Sequence, residues 1–191
     1  MRLLLDILQG AGVSAAAGIR PFLPALLTGA LASADLGVDF DGTQFAFLES
    51  PWFLLVLAAG LVLSFLGRRY VEAGPGEAAM SGLGVGLGAL LFAGTLDDRF
   101  GTWWPGLPAG LACALLASVA TRSLLARVRA RLDRQAQAAL PLYPEAAASV
   151  LAGASVLFPP LALVGIGFLG RLYVAGRRRA GEKYAGLRIL R

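Results

Sequence analysis

The chain has 191 residues, of which 57% are hydrophobic before its 25 glycines are counted, and only 15% are charged. Soluble domains hold about 45–50% apolar residues with glycine included and about 25% charged ones, so a water-soluble globule and a disordered chain are both excluded. With a mean hydropathy of +0.70 and a net charge of +5 carried by arginines that flank apolar segments, a membrane suits this composition better than nucleic acid does.

Five apolar stretches follow in chain order: Leu3 to Ala34, Pro51 to Gly67, Ala78 to Leu96, Pro105 to Thr121 and Ala146 to Gly170. A bilayer core of about 30 Å takes about 20 helical residues, so the three middle stretches are expected to span once each. At about 1.5 Å per residue Leu3 to Ala34 would run about 48 Å as one helix, so it must tilt, protrude or break. It reads as retained rather than as a signal peptide, because Arg2 is its only early cation and apolar sequence continues past Ala15 to Ala17.

Within it, Pro21 drives Arg20 out of helical geometry and Pro24 follows within a turn. A break over Gly18 to Pro24 is therefore expected, with Arg20 near membrane depth. Irregular backbone there must be buried in protein or line a wet cavity. A helix restarting at Pro21 would turn its N-terminus, together with Arg20, toward an anion. The bland alternative is an arginine that caps freed carbonyls or pairs with Glu49, Asp97 or Glu145.

Residues 35 to 50 hold Asp35, Asp39, Asp41 and Glu49 without a cation, whereas Arg122, Arg127, Arg129, Arg131 and Arg134 follow the fourth stretch. The positive-inside rule then puts residues 35 to 50 and 97 to 104 outside, and 68 to 77 and 122 to 145 inside. Trp52, Trp103 and Trp104 fall at the outer interface, and Tyr70, Tyr143, Tyr173 and Tyr184 at the inner one. Because residues 171 to 191 are also basic, Ala146 to Gly170 must enter and leave on one side. A re-entrant hairpin with its tip at Ser155 to Pro160 satisfies this, since Pro159 and Pro160 break a helix. The competing reading is one kinked span with the tail outside.

The second broken stretch echoes the first. At an offset of 135, Ser14, Ala17, Gly18, Pro24 and Leu26 coincide with Ser149, Ala152, Gly153, Pro159 and Leu161, while Ser155 stands where Arg20 does. Paired interrupted segments are the sequence pointer to a transporter's central site. Gly18, Arg20, Pro21 and Pro24, opposed by Gly153, Ser155, Pro159 and Pro160, are accordingly the expected substrate-binding residues.

Other motifs carry less. Gly165-Ile-Gly167-Phe-Leu-Gly170 fits a dinucleotide fingerprint without its strand or acid. Gly82, Gly84, Gly86 and Gly88, and Gly106 with Gly110, read as close helix contacts, with a glycine-lined pore as the sharper alternative. Asp39 and Asp41 imitate the middle of a calcium loop, but Gly37 and Leu48 hold its end positions and Glu49 comes one place late. Asp97-Asp98-Arg99 reads as solvated charge at a helix end, and Cys113 as packing. With no histidine, a His general base, a Ser-His-Asp triad and a His-ligated metal are excluded. No catalytic residue, cofactor or metal is expected, and an enzyme is the least favoured class.

The segments AAAGIRPFLPALLTG, at Ala15 to Gly29, and EKYAGLRILR, at Glu182 to Arg191, resemble the bacterial membrane family catalogued as domain of unknown function 4126. That resemblance implies a small multi-pass membrane protein and carries over no catalytic residue or cofactor. The sequence expectation is thus an all-α polytopic integral membrane protein of the bacterial cytoplasmic membrane. Residues 1–191 form one transmembrane domain with a basic cytoplasmic tail at 171–191, and three single spans are flanked by two proline-broken segments. Its partners are the lipid bilayer, an anionic small molecule or lipid headgroup, and a second copy of the chain, but no nucleic acid. A permease or lipid translocase is the leading function, with a non-transporting membrane scaffold or a small channel as alternatives.

Overall fold

The computed structural model describes residues 2–67, 75–129, 131, 140 and 142–185. They form seven α-helices: α1 (Arg2–Ile19), α2 (Phe22–Ala32), α3 (Pro51–Leu66), α4 (Pro75–Phe100), α5 (Gly106–Arg129), α6 (Leu142–Leu157) and α7 (Pro160–Ala185). A short 3₁₀ turn, Ala46–Glu49, precedes α3, and no strand occurs among the described residues. Two of the helices, α4 and α5, are long and apolar enough to cross a membrane. The stretch expected as the first single span, Pro51 to Gly67, folds as α3, whose 16 residues reach about 24 Å, short of an average bilayer core of about 30 Å.

The centre of the bundle is α1, and its sequence explains why. From Gln9 to Gly18 every residue is buried, and Gly10-Ala-Gly-Val-Ser-Ala-Ala-Ala-Gly18 has almost no bulk on any side. A helix that is small all round can take neighbours on every face, and α1 packs against α4, α5, α6 and α7. The contacts are backbone-close. A Cβ on Gly18 would strike the main chain of Ala114, one on Gly84 would lie 2.6 Å from the Ala17 carbonyl oxygen, and one on Gly88 would lie 2.8 Å from Ala114 Cβ. Inside this seam the Ser14 hydroxyl donates to the Gly110 carbonyl at 2.6 Å.

These contacts also fix the direction of each helix. Gly10 meets Thr95 while Ala17 meets Gly84, so α4 runs antiparallel to α1. Ser14 meets Gly110 and Gly18 meets Ala114, so α5 runs parallel to it. Gln9 reaches Val156 and Arg20 reaches Glu145, so α6 runs antiparallel. Gly12 touches Ala162, and Ala15 and Leu169 share one apolar cluster, so α7 runs parallel.

The two proline-broken stretches are both helical hairpins. Gln9, half-way along α1, donates to the Gly37 carbonyl just beyond α2, so the chain goes down α1, reverses after Ile19 and returns along α2. In the second hairpin Leu151 of α6 lies against Gly165 of α7, residues a straight helix would hold about 21 Å apart. Its reversal is tighter than the expected Ser155 to Pro160. Helix α6 continues to Leu157, only Phe158 and Pro159 are non-helical, and Pro160 opens α7, where a missing N–H costs nothing.

The hairpins are inverted relative to each other. The reversals lie 138 residues apart, Ile19 to Leu157 and Phe22 to Pro160, not the 135 of the sequence echo. Arg20-Pro21 therefore corresponds to Phe158-Pro159, and the echoed Ser155 is an interior helical residue. Each hairpin lays its second arm on the first arm of the other: Leu27 of α2 touches Gly153 of α6, and Ala162 of α7 touches Gly12 of α1.

At the end of the bundle where α1 begins, residues 33–50 form a cap. Phe40 is fully buried against Gly94, and Phe45 meets the edge of Trp103 at 6.3 Å. Gly37, with φ +82°, passes so close to Val156 that a Cβ there would lie 2.9 Å from its carbonyl oxygen.

Candidate functional site

The first reversal is where local sequence and packing conflict. The Arg20 N–H still bonds to the Ala16 carbonyl at 3.1 Å and closes α1. Pro21 then denies a donor to Ala17, one turn back, and bars Arg20 from the helical region. The freed Ala17 carbonyl is the group that Gly84 approaches. The break is narrower than Gly18 to Pro24, because Gly18 is helical and Pro24 sits in the first turn of α2, where backbone N–H groups have no partner to lose.

Arg20 does not reach solvent freely. Its side chain is 19% exposed and pairs with Glu145, 13% exposed, at 3.5 Å between Nε and Oε1. Glu145 stands in the first turn of α6, a position that favours a carboxylate, yet its Oε2 is buried without a hydrogen-bond partner among the described residues. Of the three acids expected as partners, Glu49 and Asp97 lie at the other end of the bundle, since the Gln44 amide donates to Asp97 and the Phe40 amide to Glu49.

Beside this pair opens a cavity of about 150 Å³ between the end of α1, the start of α4 and the second half of α5. Arg20, Arg122, Arg129 and Glu77 bring charge to its wall, Ser81, Ser118 and Thr121 bring hydroxyls, and Ile19, Pro21, Met80, Leu125 and Ala126 bring apolar surface. Ser81 and Ser118 share a hydrogen bond of 2.8 Å. Three guanidinium groups against one cavity carboxylate make the wall net positive, suited to an anion held by charge-assisted bonds.

The expected site residues separate. Gly18, Arg20 and Pro21 line the cavity, whereas Pro24, Gly153, Ser155, Pro159 and Pro160 do not. Ser155 is fully buried against Gly12 and donates to the Leu151 carbonyl. Inversion of the hairpins puts the second reversal at the opposite end, so the two breaks do not face one site. The cavity also stops short of Phe22 and Leu23, so its wall offers an anion arginine side chains rather than the first amides of α2. Arg122, Arg129, Ser118, Thr121, Ser81 and Glu77 were not among the expected residues. A signal existed, because Ser118, Thr121, Arg122, Leu125 and Arg129 repeat at three- and four-residue spacing and so mark one helical face.

The other motifs resolve as packing or solvated charge. Gly84 and Gly88 are pressed into α1 and α5, while Cβ atoms on Gly82 and Gly86 would meet nothing. The four glycines therefore share no single face, two of them being packing contacts and two facing outward. Gly165, Gly167 and Gly170 lie within α7, with no strand before them. Asp98 pairs with Arg99 at 3.1 Å, and Cys113 is half-buried beside Ala11, Phe92 and Leu96. Arg134 and Tyr70 lie outside the described residues, and so do residues 186–191. Folding brings Asp39, Asp41 and Glu49 to within 4.8 Å of one another, a proximity the linear loop count missed. Burial raises the Glu49 carboxyl above its ordinary range, against the Phe40 N–H that lowers it, and Asp41 and Asp39 raise it further.

Fold and site together define an all-helical protein of apolar helices, built on two inverted helical hairpins with a basic cavity at the base of the first. The chain belongs to the family described as Domain of unknown function (DUF4126), whose sequence model matches residues 7–178. No curated protein and no solved structure matches it.

Proposed function

We propose that this chain is a small multi-pass protein of a bacterial cytoplasmic membrane that carries an oxyanion, free or as a lipid headgroup, with the Arg20 cavity as its binding site. The observation that carries the reading is Arg20 itself, a largely buried cation at a helix break that lines a cavity with two further arginines. Charge inside a membrane is expensive and, where it persists, marks a pathway or a ligand. From Asp98 to Ser81, at the cavity wall, α4 descends about 25 Å, which supports a site in the inner half of a bilayer.

The orientation follows from the same helices. Arg122, Arg127, Arg129, Arg171 and Arg177 all belong to the end where Arg20 lies, so this end is cytoplasmic. Trp52, Trp103 and Trp104 belong to the opposite, outer end. Every helix then crosses or enters in alternation, α6 and α7 form a hairpin whose tip reaches toward the outer end, and α7 returns toward the cytoplasmic one. Pre-existing inverted hairpins are also the architecture from which alternating-access carriers are built.

Reconstitution tests the reading. Liposomes containing the wild-type chain should take up labelled sulfate, or flip a short-chain fluorescent phosphatidylglycerol, faster than empty ones. Arg20→Met in a Glu145→Gln background, which leaves no lone buried charge, should lower that rate at least about tenfold, the loss of roughly 1.4 kcal/mol of interaction. A folded double variant that moves both probes like wild type removes the proposal. A non-transporting scaffold is the second reading, favoured by the outward-facing Gly82 and Gly86. It expects replacement of Arg20 to lower stability and leave no flux to lose.

A further inference from the structure

The structure assigns a second role to the Arg20 cavity, resting on the anion-carrier reading: we infer that Glu145 is a proton-binding site, and that an anion and a proton enter the site together. The argument begins with an incomplete pair. A buried ion pair that serves only stability needs good geometry and satisfied lone pairs, or the cost of desolvation exceeds the attraction. Here Nε and Oε1 stand 3.5 Å apart, and Oε2 is buried with no hydrogen-bond partner among the described residues. Arg20 meanwhile pairs with Glu145 and is itself part of the cavity lining.

An anion in the cavity and the Glu145 carboxylate therefore compete for one guanidinium. Among the described residues no other charge stabilises Glu145. On α1 the remaining charged residues, Arg2 and Asp6, are at the far end, and α2 has no titratable residue at all. On α7 the described ionisable side chains are Arg171, Tyr173 and Arg177, with Arg177 over the Tyr173 ring at 5.0 Å, and none pairs with Glu145. On α6 itself only the exposed Tyr143 is near. When an anion draws Arg20 away, Glu145 becomes a buried carboxylate without a counter-charge, and such a group takes a proton rather than remain ionised. The proton comes from the cytoplasmic water that reaches the cavity mouth at Glu77, Arg122 and Arg129. For a monovalent anion the loaded and unloaded sites then carry the same net charge, which removes the electrostatic penalty of moving the load.

The test uses the full-length protein in detergent and two probes that stay ionised between pH 5 and 8, dioctanoyl phosphatidylglycerol and sulfate. Wild-type Kd should rise with pH, approaching about tenfold per unit above the Glu145 transition, the limit for one linked proton. In unbuffered solution the addition of probe should draw protons from the medium, a readout that needs no variant. Glu145→Gln should bind with a Kd independent of pH and take up no proton. Phosphatidylglycerol acting alone assigns the site to a lipid headgroup, and sulfate acting alone to a free oxyanion; both support the inference. Arg20-dependent binding that is flat in pH and unaccompanied by proton uptake overturns this inference and leaves the carrier intact. Failure of both probes to bind at any pH in an Arg20-dependent way overturns both.

Discussion

The side chain of Gln9 donates to the carbonyl of Gly37 at 2.7 Å, and the same Nε2 lies 3.4 Å from the Val156 carbonyl. One buried amide thus ties the middle of α1 to the cap beyond α2 and to the last turn of α6, which fixes the mutual depth of the two hairpins. Replacing it with Gln9→Leu keeps bulk but removes both contacts, leaving the Gly37 carbonyl only its bond from Arg99 at 3.3 Å, a cost of about 1–3 kcal/mol. A lower thermal midpoint in detergent is expected, with Gln9→Glu no better because it removes the donor. An unchanged midpoint for Gln9→Leu would mean the hairpins are held elsewhere.

The glycines divide into two classes that substitution should separate. Gly18→Ala drives a methyl into the Ala114 backbone and is expected to destabilise by about 1–3 kcal/mol, the usual cost of overpacking. Gly86→Ala meets open space and should be neutral or stabilising by up to about 1 kcal/mol, through helix propensity. Equal effects on unfolding in denaturant series would contradict the packing of α1.

Arg20 and Glu145 should behave as a coupled unit. Arg20→Met alone or Glu145→Leu alone strands a buried charge, expected to cost about 3–5 kcal/mol each. The double variant should cost less than the sum by at least about 1 kcal/mol in a thermodynamic cycle. Additive losses would show that the two side chains do not sense each other.

The cap predicts an acid-side gain in stability. The folded Glu49 carboxyl titrates above the ordinary 4.5 of a glutamate, so between that value and the higher folded one the native state binds more protons than the unfolded chain. Stability contributed by this group is therefore present at low pH and lost as pH rises through the folded value. Glu49→Gln should raise the thermal midpoint at pH 7 and flatten its dependence on pH across this window. The same dependence of the midpoint on pH in wild type and variant across this window would place the dominant titration elsewhere.

The second hairpin makes a topological prediction. In a background with Cys113→Ala, a cysteine at Phe158, 67% exposed at the tip, should label from the side opposite to one at Val174. Labelling of both from one face would exclude the inverted arrangement in a membrane.

Composition and the length of the apolar runs were enough to anticipate apolar helices, because hydropathy and run length are properties of the chain and need no geometry. The prolines determined that the first and last stretches break, since Pro21 and Pro159 remove donors wherever they are placed. Position along the sequence could not determine what those breaks face. The echo at 135 followed matching letters in a chain rich in alanine, leucine and glycine, whereas the folded reversals stand at 138 and point to opposite ends. Which glycines are contacts, which acid meets Arg20, and which side of α5 closes the cavity were decided by helix rotation and depth. These depend on how small residues let α1 approach four neighbours at once, a many-body packing result that no local spacing encodes.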